Sequence, residues 1–346
     1  MLYFKNLFFI IVASLFIIGC SGDNSFDEAD FDDMAPPSSG ESINPPPFLE
    51  GEHGDYSSTN WMNAPNFWSR NQSLASITLP GTHNSGTSNY GPGWAPTAKC
   101  QEVNINKQLE WGVRFLDLRI GFDGKSDPQI CHGKAGHANR TLNQVLLGVR
   151  NFLARYPSEC VVLCFDDEYN AGQKIINAIE RLLYSNDYKN YVYDKPEVPH
   201  LNDVRGKMIY WRRYGNSGIG SGLKVSFPKF GEVKLYANAY LHSQDNYLCT
   251  GEKKYSYIVE SLNYALYNAG IKSGRLNLCV CFTSYYNTVP APWSDGPRMN
   301  KRVNNYIVDK QRSNGNYPIN LGIIASDYVS SNDVHKVLCT NFLTDY

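Results

Sequence analysis

Apolar and polar positions along the chain fall into two rhythms. From about Trp61 onward, short apolar runs alternate with longer amphipathic segments. The runs Ala75–Leu79, Val113–Arg119, Cys160–Asp166, Lys207–Trp211, Leu276–Thr283 and Leu321–Ser326 read as strands. Helical spacing lies between them. Thr141-Leu142-Asn143-Gln144 has the capping-box pattern, and Leu142, Val145, Leu146, Val149, Phe152 and Leu153 then repeat at helical intervals. Ile258–Ala269 and Met299–Gln311 follow the same spacing more loosely. No internal repeat is visible. Strand–helix alternation predicts a parallel sheet. At 346 residues it predicts an α/β chain whose single domain is an irregular or distorted (β/α) TIM-type barrel. In such a barrel, chemistry collects at the C-terminal ends of the strands.

Composition is consistent with this. An apolar fraction of 42% supports a large core, and 19% charged residues with 24 tyrosines suit an ordered, extracellular or sugar-facing protein. The formal net charge of −1 hides an asymmetry. Residues 21–60 hold ten acidic residues and no Lys or Arg, and residues 1–20 hold only Lys5. The rest of the chain has 31 basic and 23 acidic residues, a net of +8. A basic body suits an anionic substrate or membrane surface, and equally a mildly basic surface with no partner. No nucleic-acid partner is expected, and a monomer is.

The N-terminus adds an address. After Lys5, Leu7 to Ile18 is an apolar run interrupted only by Ser14. It is too short and too early for a membrane span and reads as a secretory signal. Its end, Ile17-Ile18-Gly19-Cys20, resembles a bacterial lipobox. That resemblance implies lipidation of Cys20 and an exported protein anchored to the outer membrane or cell surface. Residues 1–20 would be the signal, 21–60 an acidic flexible tether, and 61–346 the catalytic body. Eight further cysteines permit disulfides in an exported chain. However, Cys160/Cys164 and Cys279/Cys281 sit inside apolar runs, so mostly buried thiols are expected.

The strand ends carry the chemistry. The first apolar run leads into Leu79-Pro80-Gly81-Thr82-His83-Asn84, where Pro and Gly are expected to break the strand and leave His83 on a loop. On the second, alternation puts Val113, Phe115, Asp117 and Arg119 on one face. There Asp117 and Arg119 form either a structural ion pair or part of a site. Gln129-Ile130-Cys131-His132-Gly133 ends in a second histidine, Cys160–Asp166 runs into Asp166-Asp167-Glu168, and the last run ends Ser326-Asp327. Taken singly, each histidine is an ordinary loop residue. Together the set can cleave a phosphodiester, which needs a base, an acid and a cation for developing charge. Asp327 and Asp117 could each orient a histidine.

The strings Leu-Pro-Gly-Thr-His83-Asn-Ser-Gly-Thr, Gly-Val-Arg-Phe-Leu-Asp117-Leu-Arg119 and Cys-His132-Gly resemble the X-type catalytic region of bacterial phosphatidylinositol-specific phospholipase C. The resemblance runs on through Arg205–Tyr214, Ser243-Gln244-Asp245-Asn246-Tyr247 and Ile323–Tyr328. It implies that the inositol 2-hydroxyl attacks the neighbouring phosphorus, releasing diacylglycerol and a 1,2-cyclic inositol phosphate. The substrate would be free or glycosylated phosphatidylinositol. By the same resemblance, His83 is the base oriented by Asp327, His132 the acid paired with Asp117, and Arg119 holds the phosphate. Arg213 and Asp245 would bind inositol hydroxyls, Tyr247 would stack on the ring, and Asn84 would line the substrate site.

Two departures stand out. Asn84 occupies a place where many bacterial members have Asp, and Asp166-Asp167 stand where several have a basic residue. Asn84, Asp117 and Asp166 could form a hard-oxygen Ca²⁺ site. Arg119 argues against it, because its guanidinium would take the same place. The expectation is therefore no metal and no cofactor. Two other readings stay open: an inactive glycan- or polyol-binding lipoprotein on the same barrel, and a calcium-dependent phosphodiesterase. A metal-dependent glycerophosphodiester hydrolase fits less well, since the His83-Asn84 pair differs from that family's His-Arg.

Overall fold

The computed structural model describes residues 57–344 apart from 65–66, 68–70, 92, 94, 123, 125–126 and 216–220. The expected signal, Cys20 and most of the expected tether lie outside these residues.

The strands are β1 (Leu79–Thr82), β2 (Phe115–Gly121), β3 (Gln129–Cys131), β4 (His137–Thr141), β5 (Cys160–Asp167), β6 (Val192–Tyr193) and β7 (Lys207–Arg212). Then follow β8 (Leu223–Lys224), β9 (Phe230–Tyr236), β10 (Ala239–Gln244), β11 (Gly270–Lys272), β12 (Arg275–Phe282) and β13 (Ile323–Ser326). The main path runs β6-β7-β5-β2-β1-β13-β12-β10-β9. Every neighbouring pair on it is parallel except β10 with β9. Among the described residues β6 and β9 do not pair, so the sheet curls without closing. Val198 N–H donates to Tyr236 Oη across that opening (2.8 Å). This is the distorted barrel that the irregular later segments implied.

Alternation decides which side chains fill the interior. Phe115 points inward and meets Trp211 and Phe282 edge-on at 6.2 and 6.3 Å. Val162, Ile209, Leu241, Leu278, Val280 and Ile323 complete the same buried cluster. Outside lie helices α1 (Ile105–Trp111), α2 (Leu142–Arg155), α3 (Gln173–Leu183), α4 (Gly251–Asn268), α5 (Pro292–Ser313) and α6 (Ser331–Cys339). Ile258 and Leu262 of α4 pack with Val303 and Ile307 of α5 over the outward-facing Cys281 and Ile324. The Thr141–Gln144 capping box is formed at the start of α2.

Four expectations need correction. The first strand is Leu79–Thr82, not Ala75–Leu79, so Pro80 and Gly81 lie within it. The β1–β2 ladder begins only at Gly81, so the missing N–H of Pro80 costs no ladder bond there. Gly81 is needed for space, because a Cβ would come within 3.0 Å of the Phe115 ring. Second, β9 and β10 carry no apolar run; β10 buries His242, Ser243 and Gln244, so hydrophobicity did not reveal it. Third, both later helices start seven residues earlier than expected, Thr250 capping α4 and Pro292 opening α5. Fourth, residues 57–60 belong to the packed body. Thr59 Oγ1 donates to Glu110 O, and the Thr59 carbonyl accepts from Arg114. All eight described cysteines are free, and all but Cys249 are buried. Among the described residues no helix is long and apolar enough to cross a membrane.

Candidate active site

His83 follows β1 directly, and its N–H donates to Ser326 O at the end of β13 (3.0 Å). This places the ring beside Asp327, whose carboxylate lies 2.8 Å from His83 Nδ1. Asp327 is buried, and its carbonyl accepts from Asn300 of α5 (2.9 Å). Gln101 Nε2 donates to both His83 O and Ser326 O (2.8 Å each), tying the two loops together. With Nδ1 committed to Asp327, Nε2 is the ring nitrogen free to take a proton. It lies 3.9 Å from Asp117 Oδ2.

His132 is set up differently. Its Nδ1 lies 2.9 Å from Ala98 O, a carbonyl that can only accept. Nε2 is 3.2 Å from the Asn84 amide nitrogen. These contacts are those of a neutral ring protonated at Nδ1. Burial, with His83 and Arg119 nearby, outweighs the Ala98 carbonyl and Glu168 and holds His132 below the ordinary histidine value. Asn84 adopts φ +45°, a conformation asparagine tolerates. Its backbone N–H points at Asp117 Oδ2 (3.3 Å) and its side chain at His132.

Alternation on β2 brings Asp117 and Arg119 inward, as expected. Asp117 is fully buried and faces Arg119 (3.5 Å), Arg213 (3.5 Å) and His83. Burial alone would raise its carboxyl; the two guanidiniums and His83 outweigh that and keep it below the usual range. The implied Asp117–His132 pairing is not the one formed. Asp117 serves the arginines and the His83 side, because β2 runs between β1 and β5 while His132 sits beyond β3. Arg119 Nη1 also meets Asp166 (3.0 Å) and Glu168 (3.6 Å). Burial works against that guanidinium's charge, but the carboxylates prevail and raise it further.

Arg213, just past β7, bridges three acids: Asp117 (3.5 Å), Asp166 (3.5 Å) and Asp245 (3.1 Å). Its guanidinium lies 5.0 Å from the Phe227 ring centre. Tyr247, exposed at the rim, stacks on Tyr286 (5.7 Å, 29°). Of the nine expected site residues, His83, Asn84, His132, Arg213, Asp245, Tyr247 and Asp327 follow strands, while Asp117 and Arg119 lie within β2. The three residues weighed as calcium ligands from the sequence, Asn84, Asp117 and Asp166, have partners within the site. Asp117 and Asp166 are already paired with two guanidinium groups, and Asn84 turns its amide nitrogen to His132.

Two contributors escaped the sequence reading. Gln101 lies in a loop with no motif to mark it. Glu168 was visible only as part of an acidic cluster. One Glu168 oxygen accepts from Gly133 N–H (2.7 Å) while the other faces Arg119, so it joins the His132 loop to the arginine.

Residues 78–214 match the model of the phosphatidylinositol-specific phospholipase C X domain. A 1-phosphatidylinositol phosphodiesterase of Listeria monocytogenes is 26% identical over 280 residues, covering 78% of this chain and 81% of that protein. One from Staphylococcus aureus strain Newman is 27% identical over 251 residues, covering 67% and 79%. Solved structures of the phosphatidylinositol-specific phospholipases C from these two species share the fold. The Listeria structure has a TM-score of 0.66 at 23% identity, covering 83% of this chain and 100% of that one. A Staphylococcus structure has a TM-score of 0.71 at 23% identity, covering 83% and 98%. The matched segment contains His83, Asp117, Arg119, His132 and Arg213, and residues 78–214 of the chain are an X domain of the phosphatidylinositol-specific phospholipase C family.

Proposed function

We propose that this chain cleaves phosphatidylinositol, free or glycosylated, by transferring the phosphorus to the inositol 2-hydroxyl. The carrying observation is the pair of unlike histidines around Arg119: one backed by a carboxylate, the other by a backbone carbonyl. His83 Nε2 takes the proton as the 2-hydroxyl oxygen bonds to phosphorus. The bond from phosphorus to the glycerol oxygen breaks, and that oxygen takes a proton from His132. The products are diacylglycerol and 1,2-cyclic inositol phosphate. Arg119 neutralises charge on the phosphoryl oxygens, and general acid–base transfer and such stabilisation each supply roughly 10²- to 10³-fold or more. Burial holds His132 below the ordinary histidine value, and an anionic phosphate beside it acts in the opposite sense, favouring its acidic form.

Arg213 and Asp245 suit inositol hydroxyls, since a polyol presents donors and acceptors together. Tyr247 gives the ring an aromatic face, and Asn84 lines the site beside His132. Leu248, Val289 and Trp293 are exposed on the loops and helix start that follow β10 and β12. An apolar rim there suits a substrate whose tails stay in a bilayer. No metal enters this scheme, because guanidinium groups occupy the acidic positions a calcium ion would need.

Phosphorus NMR of phosphatidylinositol turnover in excess EDTA tests both points. The expected result is a cyclic-phosphate resonance at an undiminished rate. Direct appearance of an acyclic phosphate would sink the intramolecular transfer; loss of turnover on chelation would sink metal independence.

We also read Cys20 as a lipidation site that tethers the enzyme to the surface on which its substrate lies. Cys20→Ala is expected to shift the protein from the membrane to the soluble fraction. Retention on membranes would contradict the anchor.

A further inference from the structure

A second basic group lies beneath the ring-binding loop. Lys254 sits in the first turn of α4 and is 0% exposed. Its ammonium donates to Gln244 Oε1 (3.1 Å) and to the Asn246 carbonyl (3.1 Å). Both acceptors are neutral. Burial pushes Lys254 down to about 8, with Cys281, Asp245, Cys249 and Asp327 acting in the opposite sense. Among the described residues no carboxylate contacts this ammonium, and a buried charge so placed is a cost to the fold. Its value must then lie in what it holds.

What it holds is the segment carrying Asp245 and Tyr247. Gln244 ends β10, and its Nε2 donates to Phe282 O at the end of β12 (2.8 Å). The Gln244 Oε1 that accepts from Lys254 also accepts from Asn246 N–H (2.8 Å). Lys254 therefore closes a ring of bonds through Gln244 and Asn246, on either side of Asp245. Asp245 N–H is held by Lys229 O (2.9 Å), and its carboxylate reaches Arg213. Tyr247 and Tyr286 are joined by backbone pairing on the far side (Tyr286 N–H to Tyr247 O, 2.8 Å).

We propose that Lys254 is a positioning residue for inositol recognition: it pins Gln244 to the Asn246 carbonyl and so sets where Asp245 and Tyr247 stand relative to Arg213. The proposal rests on the reading of the site as an inositol-binding one. It assigns Lys254 no contact with the substrate. Because the proton-transfer groups are carried by other strands, the effect falls on ring binding and not on the chemical step.

The test is Lys254→Met, assayed on a monomeric short-chain phosphatidylinositol together with direct calorimetric binding of myo-inositol. KM and the myo-inositol dissociation constant are expected to rise about five- to tenfold, the size of one buried hydrogen bond or two, with kcat within about twofold. Lys254→Gln keeps an N–H donor and is expected to recover part of the loss; it also carries the test if the Met variant melts too low to assay. Combined with Asp245→Asn, the effects on KM are expected to be less than additive. Unchanged KM with a lowered melting temperature would overturn the proposal, as would a fall in kcat alone. Wild-type protein that binds myo-inositol without cleaving the lipid would overturn the enzymatic reading instead, leaving the Lys254 effect on myo-inositol binding measurable.

Discussion

Replacing His83 or His132 by alanine is expected to slow cleavage of phosphatidylinositol by about 10²- to 10⁴-fold, a barrier increase of about 3–5 kcal/mol. The two losses have different origins. At His83 the backbone keeps its bonds to Ser326 O and Gln101, so the β1–β13 junction survives and the missing element is the acceptor of the 2-hydroxyl proton. At His132 the missing element is the proton for the leaving oxygen. A substrate whose leaving group needs no protonation, such as a nitrophenyl ester of inositol phosphate, is therefore expected to rescue His132→Ala far more than His83→Ala. Steady-state rates on both substrates, with melting temperatures as a control, check this. Near-normal turnover of the natural lipid by either variant refutes the assignment. Equal rescue of both variants refutes the division of roles.

Arg119→Lys is expected to lower kcat by about 10²- to 10³-fold with little change in melting temperature. The guanidinium is held by Asp117, Asp166 and Glu168 on three sides, which fixes its plane before any substrate arrives. Lysine keeps one positive charge among those acids but loses the fork that matches two phosphoryl oxygens. Arg119→Met removes the charge as well. Asp117, fully buried, then keeps Arg213 and His83 as charged partners beside the Asn84 N–H, so the Met variant is expected to melt lower than the Lys variant. A Lys variant with wild-type kcat would show that Arg119 is a structural ion-pair partner and no more.

The geometry also bears on how acids are used in this site. Asp117, Asp166, Glu168, Asp245 and Asp327 surround two arginines and two histidines, yet they are not interchangeable. Asp327 holds His83 Nδ1, Asp117 and Asp166 hold the arginines, and Glu168 links Arg119 to the His132 loop. Asp117, Asp166 and Glu168 all face guanidinium groups, so the charges in the site are paired among its own side chains.

Much of this could be read from local pattern. Strand–helix alternation was enough for a distorted parallel barrel, because side-chain burial on a sheet or helix repeats with a fixed period. The same period put Asp117 and Arg119 on the inner face of β2. The capping box at Thr141 was legible because all its atoms lie within four residues. His83, His132 and Asp327 were recognisable as strand-end residues, and their motif strings identified the family. Which groups meet was decided only by the fold. Asp117 turned to Arg213 and His83 instead of His132, since partners across strands depend on sheet order, which no local period encodes. Pro80 and Gly81 sit inside β1 because β2 begins pairing one residue later and Phe115 needs the space, and both causes lie more than 30 residues away. Lys254 carried no signal at all: an amphipathic helix tolerates lysine anywhere on its outer face, and only the packing of α4 under β10 buried this one beside the ring-binding loop.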